Sequence, residues 1–390
     1  MPFCIHLEPP PVGIATNNAR EGDKVRVAYR DFSSSEDGDA FIARLEGYPA
    51  MLLSMLPSDS QISPSMIDHL VAIIRPGGAT DVYVNELPVL ARARVRCSVE
   101  AGQTLYDNDI VDIEELRFGE LTIPTDSGLL IVFSQGWRKA MFFDFAPLLP
   151  TPLAREYDIW TLLGSYYNYL TFQQTFKVSA SEWEKLLAAG WFPFVGLKQE
   201  TVAALLNYVR ADWTADDLLP GIVVEVRERL AGMQQHWQAN ELLAAHHDVL
   251  ARAVERFQAE DYVSTTAILY PRIEGVLRDI QARTGGSSFK QGDLVQAPMR
   301  FLPHPAPEFS RMLPSRFREY LERVYFAPFD PSDVRHVSRH TVAHGVVPVG
   351  GFSAKACVVG LLILEQICFH LPPEPSPPSS ATTILTQGEI

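Results

Sequence analysis

The chain has 390 residues, of which 47% are hydrophobic, and a formal net charge of -14. This length exceeds the usual size of one domain, so we expect two or three domains, each with enough apolar side chains for a core. A general nucleic-acid coating protein would carry a basic face, and the acidic balance argues against that class. We therefore expect no DNA partner, and any contact with RNA would have to be local.

The first 60 residues have no regular hydrophobic period, so we expect loops and short strands there. Ser63-Pro64 has the form of a helix N-cap followed by a first helical position. It predicts a helix over 65–75 that ends at the turn residues of 76–78.

After residue 81 the spacing of the apolar residues changes to two. Over 91–99 they alternate with arginines, which predicts a half-buried strand with its basic side in solvent. The segment 128–145, with Gln135-Gly136 in the middle, predicts a hairpin. Residues 1–150 are therefore predicted to form an α+β domain, to which the sequence assigns no role.

Beyond the proline-rich segment 146–152 the pattern is helical almost to the end of the chain. The predicted helices cover 155–176, 181–189, 198–208, 220–237, 240–258, 261–283 and 311–325. This divides the rest of the chain into a helical middle region (151–240) and a helical bundle (241–371). A tail rich in Pro, Ser and Thr (372–390) is predicted to be disordered.

The start of the chain lacks a basic region followed by an apolar core, which predicts no signal peptide. The strongest apolar run, over 356–364, is too short to cross a bilayer. The cysteines lack a metal-binding spacing, and we expect reduced, buried thiols at Cys4, Cys97, Cys357 and Cys368. We therefore expect a cytoplasmic protein with no membrane contact, no cofactor and no bound metal.

The most informative segment is 335–345, which reads Arg-His-Val-Ser-Arg-His-Thr-Val-Ala-His-Gly and is predicted to lie on a helix that opens after Ser332. Residues three and four apart share a helix face, so the two arginines form one row and the three histidines form another. Guanidinium groups form hydrogen bonds with phosphate oxygens, and imidazole changes its charge near neutral pH. Such a face can bind an anion and move protons.

The six residues Arg339-His340-Thr341-Val342-Ala343-His344, followed by Gly345, resemble the signature of HEPN domains. The hydrophobic helix predicted over 352–371 and an upstream helix around 270–277 extend the resemblance to about 241–371. The resemblance implies an all-α bundle with a metal-independent ribonuclease site that is composite across a homodimer. The biology it implies is a toxin or defence setting, with RNA as the partner.

Carried over residue by residue, the resemblance gives His344 the role of the acid or base that acts on the ribose 2′-hydroxyl or the leaving oxygen. Arg339 would hold the phosphate and its developing charge, leaving a cyclic phosphate and a free 5′-hydroxyl. His340 occupies the position after the Arg, where the family often has Asn, Asp or His. Glu274, on the upstream helix, would orient Arg339 or His344.

A non-catalytic interaction module is the main alternative to the ribonuclease. An Arg packed between helices and a His that caps a helix end before Gly345 would also stabilise a bundle. Glu274 could equally pair with Arg278 at the next turn of its helix. Side chains at an open surface would favour the enzyme, and side chains buried in protein contacts would favour the module.

Metal binding is the third interpretation, because His336, His340 and His344 are spaced four residues apart. Two of them could chelate one ion from adjacent helical turns. The outer two would lie about 12 Å apart along a helix axis, which is too far for both to bind one ion.

Overall fold

The computed structural model describes residues 1–57, 60, 62–302, 307–329 and 337–372. It contains about 48% helix and 16% strand, with a sheet in the N-terminal part and helices in the C-terminal part, so the predicted α+β class is confirmed. The chain forms two compact units. Unit 1 comprises Met1–Val95, Asp112–Phe176 and Pro307–Arg311, and unit 2 comprises the described residues of 96–111, 177–302 and 312–372. The predicted disordered tail lies, from residue 373 on, outside the described residues.

The strands are β1 (Phe3–His6), β2 (Ile14–Ala15), β3 (Val27–Ala28), β4 (Arg30–Ser34), β5 (His69–Ile74), β6 (Ala79–Val84), β7 (Val89–Val95), β8 (Ile110–Phe118), β9 (Gly128–Gln135) and β10 (Arg138–Asp144). Six of them form one antiparallel sheet in the order β1-β6-β5-β9-β10-β4. The pairs β2-β3 and β7-β8 form two small sheets.

The helices of unit 1 are α1 (Asp39–Leu45), α2 (Tyr48–Ser54), α3 (Ile159–Thr171) and α4 (Gln173–Phe176). Those of unit 2 are α5 (Ala180–Ala188), α6 (Gln199–Arg210), α7 (Leu219–Gln238), α8 (His247–Gln258), α9 (Tyr262–Arg283), α10 (Gln291–Leu294), α11 (Pro314–Tyr320), α12 (Arg339–Ala343) and α13 (Ala354–His370).

The large sheet of unit 1 has a hydrophobic core on each face. Along β5, Leu70 and Ala72 join one core, whereas Val71 joins the other, as the two-residue period of a strand requires. Helices α1 and α2 cover the first face, and α3 covers the second. Because both faces are covered, the central strands are apolar at nearly every position.

The helix predicted over 65–75 is wrong. The structure has only a short 3-10 turn at Pro64–Met66, followed by the fully buried strand β5. A short run that is apolar at every position fits a buried strand as well as a helix, and its β-branched residues favour the strand. The prediction of loops and short strands before residue 60 also missed two helices, α1 and α2.

The hairpin predicted over 128–145 is confirmed as β9 and β10, with Gly136 at a φ of +58° in the turn. The basic strand exists as β7, but neither of its sides is buried. Arg92 and Arg94 instead form ion pairs with Glu114 of β8, and Arg92 also pairs with Glu115 of the same strand. Charge pairing between two strands, and not a half-buried face, explains the alternating arginines.

The helices of unit 2 enclose one hydrophobic core, to which both the predicted middle region and the predicted bundle contribute. Helix α9 matches its prediction closely because Asp261 caps it by accepting a hydrogen bond from the backbone of Ser264. Helix α13 packs against α7 and α9 and is buried from Ala356 to His370. No helix in the described part of the chain combines the length and the apolar character needed to cross a membrane.

The expectation of four buried thiols is correct for only half of the cysteines. Cys357 and Cys368 are buried in α13, but Cys4 and Cys97 are exposed. None of the four is in a disulfide.

A buried carboxylate ties the segment 307–311 into unit 1. Asp112 accepts hydrogen bonds from the side chains of Asn168 (2.7 Å) and Ser310 (2.6 Å) and from the backbone N–H of Arg311 (3.1 Å). The Arg311 guanidinium lies 3.9 Å from the ring centroid of Phe172. Burial raises the pKa of Asp112 to about 6, although these donors and the Arg311 charge oppose the shift.

We expect Asp112→Asn to change how stability depends on pH. The pKa of Asp112 is higher in the folded chain than its unfolded value of about 4, so the folded state binds this proton more tightly. The resulting stabilisation is present at low pH and is lost as the pH rises through 6. Between pH 7.5 and pH 4.5 the free energy of unfolding of the wild type should rise by about 2 kcal/mol relative to the variant.

Urea unfolding at several pH values measures this difference. Asparagine keeps an oxygen for the Asn168 and Arg311 donors, and the Ser310 hydroxyl can turn to accept from the new amide, so we expect the variant to fold. The exposed Asp126→Asn is the matched control. Parallel pH curves for the wild type and Asp112→Asn would contradict the prediction.

Candidate functional site

Helix α12, which carries the Arg-x4-His motif, begins at a capping box. Ser338 has an extended backbone, its hydroxyl accepts the N–H of Thr341 (3.3 Å), and its own N–H donates to the Thr341 hydroxyl (2.8 Å). The Ser338 hydroxyl also donates to the carbonyl of Ala327 (3.0 Å). The start of α12 is therefore fixed one residue before Arg339.

This cap corrects the predicted helix that opens after Ser332. Helix α12 begins only at Arg339, after the extended Ser338, so one continuous helix from 335 to 344 does not form. Arg335 and His336 lie outside the described residues. Of the motif, α12 retains Arg339, His340 and, at its end, His344.

Helix α12 has five residues, Arg339–Ala343, and Gly345 follows its C-cap residue His344. The N–H of Gly345 donates to the carbonyl of Val342, and the N–H of Val346 donates to the carbonyl of Thr341, both at 3.1 Å. The φ of Gly345 is +66°, a backbone conformation that glycine adopts without strain. This ending leaves His344 as the last residue of the turn, with its side chain exposed.

Glu274 and Arg339 form an ion pair between α9 and α12. The carboxylate, whose side chain is 7% exposed, contacts the Nε of Arg339 and also lies 2.6 Å from an Nη of Arg278. Among the described residues, Arg339 has no other ion-pair or hydrogen-bond partner. The contact through Nε leaves the two terminal amino groups of the guanidinium for an external anion.

The surroundings of Glu274 are largely apolar. The Tyr325 hydroxyl donates to the carbonyl of Tyr270 (2.6 Å). Burial, and then the nearby Glu274 charge, raise the pKa of Tyr325 well above its usual range, so this phenol stays neutral. Two guanidinium groups, those of Arg278 and Arg339, thus balance the charge of this buried carboxylate.

His340 and His344 lie beside this ion pair. Their rings are nearly parallel, at 6°, with centroids 6.3 Å apart, and Phe326 lies 6.3 Å from the His340 ring. Burial, followed by the charges of Arg339 and His344, lowers the pKa of His340. His340 is therefore neutral at pH 7, the form that can accept a proton.

The structure thus brings all four predicted site residues, Arg339, His340, His344 and Glu274, to one place on unit 2. His344 is exposed and Arg339 and His340 are half-buried, whereas Glu274 is buried. A cavity of about 200 Å³ has Tyr270 in its lining, but none of the three motif residues lines it. A partly exposed guanidinium beside two imidazoles suits a phosphate group of a polyanion.

Three neighbours of the site were not predicted from the sequence, namely Tyr325, Phe326 and the helix cap Ser338. Tyr325 and Phe326 read as ordinary apolar residues at helical spacing, and only the fold brings them to Glu274 and His340. The cap at Ser338 did have a signal, because Ser and Thr three residues apart can bond reciprocally.

No group of three or more His, Cys, Asp or Glu side chains with metal-binding geometry occurs among the described residues. The metal interpretation included His336, which lies outside them. No family model, curated protein or solved structure matches the chain. A proposal for the function therefore rests on the geometry of the site.

We expect the Glu274–Arg339 pair to stabilise the fold more than the Glu274–Arg278 pair. The Arg339 side chain is 25% exposed and that of Arg278 is 46% exposed, so water screens the second pair more strongly. Double-mutant cycles should give a coupling energy of about 1–3 kcal/mol for the first pair and below about 1 kcal/mol for the second.

The cycles combine Glu274→Gln with Arg339→Met or Arg278→Met, and urea unfolding measures the free energy of each variant. Methionine keeps the apolar stem of arginine and removes only the charge. Coupling of equal size in the two cycles would show that burial of Arg339 adds nothing to its interaction with Glu274.

Proposed function

We propose that the protein cleaves or binds RNA at the site formed by Arg339, His340 and His344, in a toxin or defence setting. The observation that carries the proposal is the Glu274–Arg339 ion pair, which fixes the guanidinium beside two imidazoles at the surface. A fixed guanidinium binds a phosphate with less loss of conformational freedom than a mobile one. The resemblance to HEPN domains implies that this polyanion is RNA.

In the proposed reaction Arg339 binds the scissile phosphate through its terminal amino groups and stabilises the charge that develops there. An imidazole removes the proton of the ribose 2′-hydroxyl, and the oxygen attacks the adjacent phosphorus. The P–O bond to the next nucleotide breaks, and that oxygen takes up a proton. The products are a 2′,3′-cyclic phosphate and a 5′-hydroxyl, and the reaction requires no metal.

The exposed His344 is the residue to which the resemblance gives the acid or base role. The lowered pKa of His340 supports it as a second proton acceptor. Glu274 is a positioning residue in this scheme, since it acts through Arg339.

A non-catalytic interaction module is the second candidate. The same ion pair favours it, because Glu274 also ties α12 to α9, and His344 lies at the end of α12 where a His can stabilise the terminus. In this alternative the surface around Arg339 binds a protein partner or a second copy of the chain.

Kinetics of three variants separate the roles of His344 and Arg339. His344→Ala should lower the single-turnover cleavage rate about a hundred- to ten-thousandfold and leave RNA affinity nearly unchanged, because it removes proton transfer. Arg339→Ala should weaken both binding and turnover. Arg339→Lys can still neutralise Glu274 but cannot form a bidentate contact with phosphate, so it should restore stability and little activity.

The assay uses mixed-sequence RNA with a chelator present, so that only metal-independent cleavage is measured. Arg252→Ala, which removes a guanidinium exposed on α8, is the matched control and should cleave like the wild type. If the wild type and His344→Ala are equally inert while circular dichroism shows both folded, the catalytic proposal fails and the interaction module remains.

We further propose that two copies of the chain join through the helical bundle to complete the site. Light scattering of the full-length protein should then give twice the chain mass of 43.5 kDa. A constant monomer mass up to high protein concentration would count against a composite site.

A further inference from the structure

Helix α13 places a carboxylate and a thiol one turn apart in the core of unit 2. Glu365 and Cys368 are each 1% exposed, and their three-residue spacing puts them on one helix face. Both contact His236 of the neighbouring helix α7. The Arg339 site does not use this cluster.

The three side chains form a relay from carboxylate to imidazole to thiol. His236 Nδ1 lies 3.3 Å from a Glu365 oxygen, and His236 Nε2 lies 3.6 Å from Cys368 Sγ. Because a carboxylate oxygen accepts hydrogen bonds, we assign the ring hydrogen to Nδ1. The lone pair of Nε2 is then directed at the thiol, as a base for a nucleophile requires.

The Glu365 carboxylate is held in place by a further hydrogen bond and by an ion pair. Trp237 Nε1 donates to it at 2.6 Å, and an Nη of Arg229 lies 3.6 Å away. The guanidinium charge compensates the buried carboxylate. Glu365 is therefore fixed as an acceptor and fixes the orientation of the imidazole ring in turn.

Cys357, on the same helix, provides an internal comparison. It is as deeply buried as Cys368, but its sulfur faces the Thr266 hydroxyl (3.4 Å) and the Tyr262 carbonyl (3.5 Å). No imidazole contacts it among the described residues. Burial raises the pKa of Cys357 to about 11, so very little of it is thiolate at neutral pH.

We propose that Cys368 is a peroxide-reactive thiol, activated by His236 and positioned by Glu365. His236 Nε2 accepts the thiol proton, and the thiolate attacks one oxygen of hydrogen peroxide. The S–O bond forms as the O–O bond breaks, and the leaving hydroxide takes the proton from the imidazolium and departs as water. Sulfur loses two electrons, peroxide gains them, and the product is a sulfenic acid.

Access favours a small oxidant. The side chain of His236 is 33% exposed, whereas Cys368 itself is almost completely covered. His236 is the member of the relay that reaches solvent, so we expect a molecule of the size of hydrogen peroxide to reach Cys368 more readily than a bulky reagent. The His236 carbonyl, 3.8 Å from Sγ, is placed to accept a hydrogen bond from the sulfenic acid.

The sulfenic acid has no route to a disulfide with Cys357. Eleven residues of α13 separate the two cysteines, which is about 16 Å along the helix axis and far beyond disulfide range. The oxidised form should therefore persist until a small external thiol attacks its sulfur and releases water.

The test compares two cysteines within one chain. Full-length native protein is exposed to hydrogen peroxide, quenched with catalase, unfolded and alkylated, and mass spectrometry then measures the unoxidised fraction at each cysteine. Cys368 should be oxidised about a hundredfold faster than Cys357, in line with the usual effect of a positioned base. Equal rates in the native wild type would overturn the proposal, whether or not any variant folds.

A variant pair then tests the base. His236→Gln should reduce the Cys368 rate to that of Cys357, and His246→Gln should leave it unchanged. His246 is the matched control because its imidazole is also paired with a carboxylate, that of Asp279 (2.9 Å), and its side-chain partners, Asp279 and Arg272, do not belong to the relay. A folded His236→Gln protein that oxidises at the wild-type rate would overturn the role of the imidazole.

Discussion

The burial of α13 on all sides is the constraint on which unit 2 depends. An apolar helix with no solvent face forces its neighbours to pack around it, and each of its polar side chains must find a partner inside the protein. Gln366 does so by accepting the Val195 N–H (3.0 Å) and donating to the Met312 carbonyl (3.1 Å). Glu365 does so through Trp237, Arg229 and His236, and this requirement also brings an imidazole to Cys368.

The Arg339 site follows the same physical rule at a smaller scale. A helix of five residues has little stability of its own, because the cost of its first turn is spread over very few hydrogen bonds. Helix α12 is held by its cap at Ser338, its glycine ending and the ion pair with the buried Glu274. The groups that hold α12 in place are therefore also the groups that orient its guanidinium, so folding and the proposed chemistry rest on one carboxylate.

The sequence predicted those elements whose signals are local. Helix α9 has a capping aspartate and the hairpin of β9 and β10 has a turn glycine, and both appear where expected. Strand β5 was misread because its apolar run depends on helices that cover both faces of the sheet, which is a property of the tertiary structure. At the site, the proximity of Glu274 to Arg339 was expected from a family resemblance, whereas the prediction of one continuous helix across the motif failed because the local cap at Ser338 starts a separate, shorter helix.

The order of the large sheet has a consequence for self-association. Strand β4 lies at one edge of the sheet, beside β10, and the backbone N–H groups of Phe32 and Ser34 donate to the carboxylates of Asp31 (2.9 Å) and Asp37 (2.8 Å). Arg30 of this strand forms an ion pair with Asp144 (3.2 Å), and Asp31 forms one with Arg44 of α1 (2.8 Å). An incoming strand would have to desolvate or displace these charges, so the edge of the sheet is protected against fibril-like growth by the same side chains that anchor α1 to it.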